Sequence, residues 1–100
     1  MESHLRFVIP HDHPSLPGHF PGRPIVPGVV LLDCAMVVLL RDRPGVRLAG
    51  FDEVKFVSPV LPGAEVSVTR GDGTADHLTF ACAVDGRTVL RGRVRLGRAA

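Results

Sequence analysis

The sequence predicts an α+β fold in which an antiparallel sheet curls around one long helix. Three observations carry this expectation. An apolar run over residues 25–40 holds a single charged side chain, Asp33. Stretches that alternate between apolar and polar residues follow it, separated by turn signals. The chain has 100 residues and is 45% hydrophobic, which suits one domain with a real core.

The elements follow in order. Residues 5–9 form a short strand stopped by Pro10. Residues 10–27 contain six prolines and two glycines, so they predict a stiff loop rather than a regular element. Pro27 or Gly28 opens the helix, because proline loses nothing in the first turn. The helix is expected over residues 27–42. It should end at Arg41-Asp42-Arg43 before Pro44-Gly45, where two arginines complement its dipole.

A strand over residues 47–57 comes next, then a turn at Leu61-Pro62-Gly63. Val66 and Val68 alternate with polar neighbours. Gly71-Asp72-Gly73 gives a hairpin signal, and Leu78, Phe80, Cys82 and Val84 mark the following strand. Asp85-Gly86 is the strongest hairpin dipeptide. In the last strand Leu90, Val94 and Leu96 face one way, and Arg91, Arg93 and Arg95 the other. The expected topology is strand, loop, helix and a four-stranded meander. A helix apolar on all sides must be surrounded, and one small sheet covers only part of it. A homodimer is therefore expected.

Composition excludes several classes. The net charge of +2, the absence of Trp and Tyr, and the lack of a basic run argue against nucleic acid. The apolar run is too short and too broken by Pro27, Gly28 and Asp33 to span a bilayer, and the amino terminus lacks a signal-peptide core. Cys34 and Cys82 fall on expected core faces and read as reduced thiols of a cytoplasmic protein.

Three positions could carry chemistry. Asp33 sits mid-helix among apolar residues. It is either a carboxyl kept protonated by desolvation, able to act as a general acid, or a structural carboxylate bonded to a loop backbone. His19, fourteen residues earlier, lies in Gly18-His19-Phe20-Pro21-Gly22, a loop stiff enough to hold one side chain in a set position. Gly28, at the helix start, offers an unpaired N–H at the positive dipole end and could polarise a thioester carbonyl, or it simply permits the turn. His11-Asp12-His13 suggests a metal, but the spacing lacks a third ligand nearby, and an Asx turn suits Asp12 better. Neither Ser15 nor Cys34 has the surroundings of a nucleophile.

Two blocks carry a resemblance. The first is His13-Pro14, Gly18-His19-Phe20-Pro21-Gly22-Arg23-Pro24-Ile25-Val26-Pro27-Gly28-Val29 and Leu32-Asp33. The second is Val54-Lys55-Phe56-Val57-Ser58-Pro59-Val60-Leu61-Pro62-Gly63. Both resemble the (3R)-hydroxyacyl-acyl-carrier-protein dehydratases, which have the hotdog fold. The resemblance implies that His19 is the catalytic histidine and Asp33 the acid, facing each other across a dimer interface. It implies that Gly28 binds the thioester carbonyl, with Phe20, Pro27 and Val37 beside it on the substrate surface. It also implies that no cofactor is needed, because the acyl group rides on the phosphopantetheine of acyl carrier protein. Arg23, Lys55 and the strand arginines are all candidates to meet that carrier.

The sequence departs from the pattern where Val37 replaces the usual Gln four residues after the acid. Asp in place of Glu occurs in the branch that also isomerises the double bond. The short form looks like dehydratase-like proteins of polyketide or aryl-polyene pathways as well as those of fatty-acid synthesis. The alternatives are a hotdog acyl thioesterase, in which water attacks the thioester, and a non-catalytic dehydratase-like partner subunit.

Overall fold

A computed structural model describes residues 5–10 and 25–98. Five strands and one helix are present among them: β1 (Arg6–Val8), α1 (Gly28–Leu39), β2 (Val46–Phe56), β3 (Glu65–Gly73), β4 (His77–Val84) and β5 (Arg87–Arg98). The sheet is antiparallel throughout, in the order β1-β3-β4-β5-β2. The expected meander therefore holds only for β3-β4-β5. β2 does not pair with β3, its successor in the chain, but with β5, from Val46↔Arg98 to Phe56↔Leu90.

Alternation decides which face is buried. Val66, Val68, Leu78, Phe80, Cys82, Leu90, Val94 and Leu96 point inward and are buried. Against them pack Leu31, Ala35, Met36, Val38 and Leu39 of the helix. Arg91, Arg93 and Arg95 point outward as expected. The Asp85-Gly86 dipeptide turns with φ of 52° and 80°, the paired positive values of a tight hairpin, and glycine takes its value without strain. Leu61-Pro62-Gly63 is a type II turn, with Ala64 N–H donating to the Leu61 carbonyl at 3.3 Å and Gly63 at φ 88°.

Gly71-Asp72-Gly73 is not the hairpin. β3 runs through it, and the register slips between Arg70 and Gly73. The turn lies just beyond, where the Thr74 hydroxyl accepts from the N–H groups of Asp76 and His77 at 3.2 Å each. Two further slips on β2 set Ala49 and Asp52 out of pairing. Asp52 then draws two arginines and a histidine from two other strands: Arg95 Nε at 2.9 Å, His77 Nε2 at 3.2 Å and Arg93 Nε at 3.7 Å.

The helix is shorter than expected, and its carboxyl end is held differently. It stops at Leu39, with no basic residue in its last turn, and Arg41 and Arg43 lie beyond it. The cation comes from β3: the Arg70 guanidinium donates to the Leu39 carbonyl at 2.8 Å and to Asp42 Oδ1 at 2.6 Å. It reaches the Leu39 carbonyl from the sheet side. Its own Nε is buried without a partner. Replacing Arg70 by Met should lower stability by about 2–3 kcal/mol, because a charge-assisted bond to the helix end is lost. Asp42→Asn, at the exposed end of the same pair, should cost under about 1 kcal/mol. Urea unfolding midpoints of the two variants check this order.

Candidate active site

The amino-terminal turn of α1 meets the exit of β2. Val57 and Ser58 N–H donate to the Val89 carbonyl at 2.8 and 3.3 Å, and Val26 N–H donates to the Val60 carbonyl at 2.8 Å. These bonds lay residues 57–60 alongside the start of the helix. Pro27 is the N-cap, half-buried, with φ −59° and ψ 141°, and its carbonyl accepts from Val30 and Leu31. A cleft of about 360 Å³ opens there, lined by Val26, Gly28, Leu31, Phe56, Val57, Ser58, Pro59 and Val60.

Gly28 lies at the mouth of this cleft, close against the Phe56 ring. A Cβ at this position would stand 3.0 Å from Cε1 and 3.1 Å from Cζ of Phe56. Its N–H and that of Val29 have no acceptor among the described residues, as the first turn of a helix leaves them. The cleft is thus apolar with amide donors at one end, a place where a carbonyl oxygen can be polarised.

Asp33 is placed differently from the expectation. It is exposed, not desolvated, and it does not line the cleft. At about 100° per residue, its side chain leaves the helix roughly 140° around from Gly28. It shares an outward stripe with Val29 and Val37, one turn to either side, which are 72% and 62% exposed. The structure puts Gly28 in the lining of the cleft, leaves Pro27 directly before it but outside that lining, and leaves Asp33 and Val37 on a second face. His19 and Phe20 lie outside the described residues, as do His11 and His13. The sequence reading missed Phe56 and residues 57–60 as lining. The signal was present in the second block, whose Phe56 precedes a polar and proline-containing exit.

The two thiols differ. Cys82 is fully buried, and burial pushes its pKa up to about 12. Cys34 is half-buried rather than core, and its pKa is raised, first by burial and then by the neighbouring Asp33 carboxylate. A pKa raised on folding favours the native state below the unfolded value and loses that contribution as pH climbs. Stability should therefore fall by roughly 1.4 kcal/mol per pH unit between about 9 and 12. Urea midpoints at pH 8 and 10.5 should show this slope, and Cys82→Ala should flatten it.

A curled antiparallel sheet over one helix, with the helix start opening on an apolar cleft, defines a hotdog-fold protein. The family model described as ApeI-like (ApeI dehydratase) matches residues 1–93, and the chain belongs to this family. A 3-hydroxyacyl-[acyl-carrier-protein] dehydratase FabZ of Anaeromyxobacter dehalogenans is 32% identical over 107 residues, spanning 88% of this chain and 69% of that protein. Among solved structures, the dehydratase heterocomplex ApeI:P from Xenorhabdus doucetiae superposes with a TM-score of 0.77 at 28% identity, covering 93% of this chain and 84% of that one. A fluoroacetyl-CoA-specific thioesterase, FlK, superposes at 0.67 with 16% identity over 94% of this chain and 85% of its own, a likeness of fold alone. Among the described residues no helix is long and apolar enough to cross a membrane.

Proposed function

We propose that this chain removes water from a (3R)-hydroxyacyl thioester carried on acyl carrier protein, giving the trans-2-enoyl thioester, and that two copies share each active site. The observation that carries the reading is the split between the two faces of α1. The cleft at Gly28 offers amide donors but has no carboxyl group among its lining residues. The only carboxylate of the helix stands on the opposite side, framed by two exposed valines. Solvent leaves such an apolar stripe uncovered at a cost, so a second copy is the natural cover. Its Asp33 then completes the cleft of the first.

In this scheme the Gly28 N–H holds the thioester carbonyl and stabilises the negative charge that develops on its oxygen. His19 takes the α-proton as general base. Asp33 of the other copy gives its proton to the β-hydroxyl as the carbon–oxygen bond breaks, and water leaves. Pro27, Phe20 and Val37 border the acyl group. The scheme uses no metal or organic cofactor, and a carrier-borne substrate places it in the cytoplasm, in fatty-acid, polyketide or aryl-polyene type synthesis. Mass spectrometry of the purified protein with a panel of 3-hydroxyacyl carrier thioesters tests it. Loss of one water from the carrier-bound acyl group supports dehydration, and release of free acid would instead mean hydrolysis.

The heterocomplex among the similar structures supports a second reading, in which this chain pairs with a different dehydratase-like subunit. Activity of the chain purified alone separates the two.

A further inference from the structure

We infer that Asp52 is a positioning residue for the cleft: its carboxylate fastens the bulge in β2 that turns the Phe56 ring toward Gly28. Its effect on turnover rests on the dehydratase reading, and its effect on Phe56 does not. Phe51 stands opposite Val94 and Phe56 opposite Leu90, and both partners are buried on the inner face of the sheet. Phe56 follows Phe51 by five positions, so strict alternation would put the two rings on opposite faces. The extra residue at Asp52 makes the difference. Asp52 and Glu53 together oppose Arg93, whereas Val54, Lys55 and Phe56 pair one to one with Gly92, Arg91 and Leu90. Without that bulge Lys55 would face inward and Phe56 outward.

A bulge leaves its extra residue out of the ladder, so the kink needs another anchor. Asp52 finds one on two neighbouring strands. Its Oδ1 accepts from Arg95 Nε at 2.9 Å, and its Oδ2 lies 3.2 Å from His77 Nε2 and 3.7 Å from Arg93 Nε. The backbone makes room for this arrangement at two places. A Cβ on Gly50 would stand 2.5 Å from Arg95 Nη2, so a bare backbone there lets the guanidinium reach across β2 to Asp52. A Cβ on Gly92 would collide with the Glu53 carbonyl, which comes close to β5 at the bulge. The consequence falls on Phe56. It lines the cleft, and a Cβ on Gly28 would stand 3.0 Å from its Cε1. Phe56 is the last residue of β2 and half-exposed, so the facing of the strand decides where its ring stands.

A double-mutant cycle on Asp52→Ala and Phe56→Leu tests this, read as kcat/KM on a 3-hydroxyacyl N-acetylcysteamine thioester. Each single change should lower kcat/KM about tenfold, and the double variant should lose no more than either alone, because Asp52 acts through Phe56. Losses that multiply to about 10²-fold in the double variant overturn the inference, and so does full activity in Asp52→Ala. Asp52→Asn takes its place in the cycle if the alanine variant does not fold. Glu53→Gln removes a charge beside the same arginines and should match wild type; a loss equal to that of Asp52→Ala would mean charge rather than anchoring, and would overturn it too. A second readout needs no turnover. The chain has no Trp or Tyr, so Phe56→Trp installs a single indole at the cleft. Its emission should shift to the red, and acrylamide should quench it more steeply, when Asp52 is also replaced by Ala. Unchanged emission and quenching overturn the inference. If wild type dehydrates no thioester, the dehydratase reading fails by itself, and the indole signal still decides the role of Asp52.

Discussion

Purified His19→Ala and Asp33→Ala proteins should each be slower than wild type by about 10³-fold or more, and an equal mixture, unfolded and refolded together, should regain activity. Random pairing makes half of the dimers mixed. In each mixed dimer one site carries both substitutions and the other carries neither, so recovery to about a quarter of wild-type activity is expected. This arithmetic is specific to a site built from two copies. A site contained in one chain would leave the mixture as dead as its parts. The geometry of α1 is why the shared site is expected: Asp33 leaves the helix far around from the Gly28 cleft and stands exposed between Val29 and Val37. Steady-state rates of the mixture against its two components decide the matter.

Gly28→Ala should separate activity from stability. The added methyl would stand 3.0 Å from the Phe56 ring, which is half exposed and can swing away. Alanine also holds a helix better than glycine, so the unfolding midpoint should stay level or rise slightly. The methyl nevertheless occupies the mouth of the cleft, where a substrate oxygen must approach the amide. Loss of one such donor costs about 10²–10³ in rate. We expect kcat/KM to fall by that order in a protein that melts no earlier than wild type. Gly28→Val should abolish turnover. Full activity in Gly28→Ala would remove Gly28 from the mechanism.

Much of the fold was legible in local pattern. The alternation of Leu78, Phe80 and Cys82, and of Leu90, Val94 and Leu96, names the buried face of β4 and β5 directly, and Asp85-Gly86 places the turn between them. The misreadings have physical causes. Gly71-Asp72-Gly73 has the composition of a hairpin, yet a side chain sets the real turn: the Thr74 hydroxyl collects two N–H groups just beyond it. Arg41 and Arg43 look like the cations that end the helix, but it is Arg70 of β3 that bonds the Leu39 carbonyl, a contact no local window contains. The pairing of β2 with β5 is likewise long-range.

The site was legible in part. The spacing from Pro27 through Gly28 to Asp33 announced a helix start and a carboxylate. It could not show which side of the helix each faced relative to the sheet. An apolar run reads as buried, and it does not say whether its own chain or another covers it. Hence Asp33, expected to be desolvated, is exposed in the single chain.

The strand order also governs how this molecule is made. β2 has its only partner among the described strands in β5, whose first residue lies 31 positions beyond the last of β2 (Phe56 to Arg87). While the ribosome is still extending the chain, β2 is an apolar-faced strand with nothing to pair with. The pairing of β2 closes only when β5 emerges, and contacts this distant in the chain make for slow folding. During that interval the nascent chain is exposed to aggregation, and it is then that a chaperone or a second chain in synthesis would find its opening.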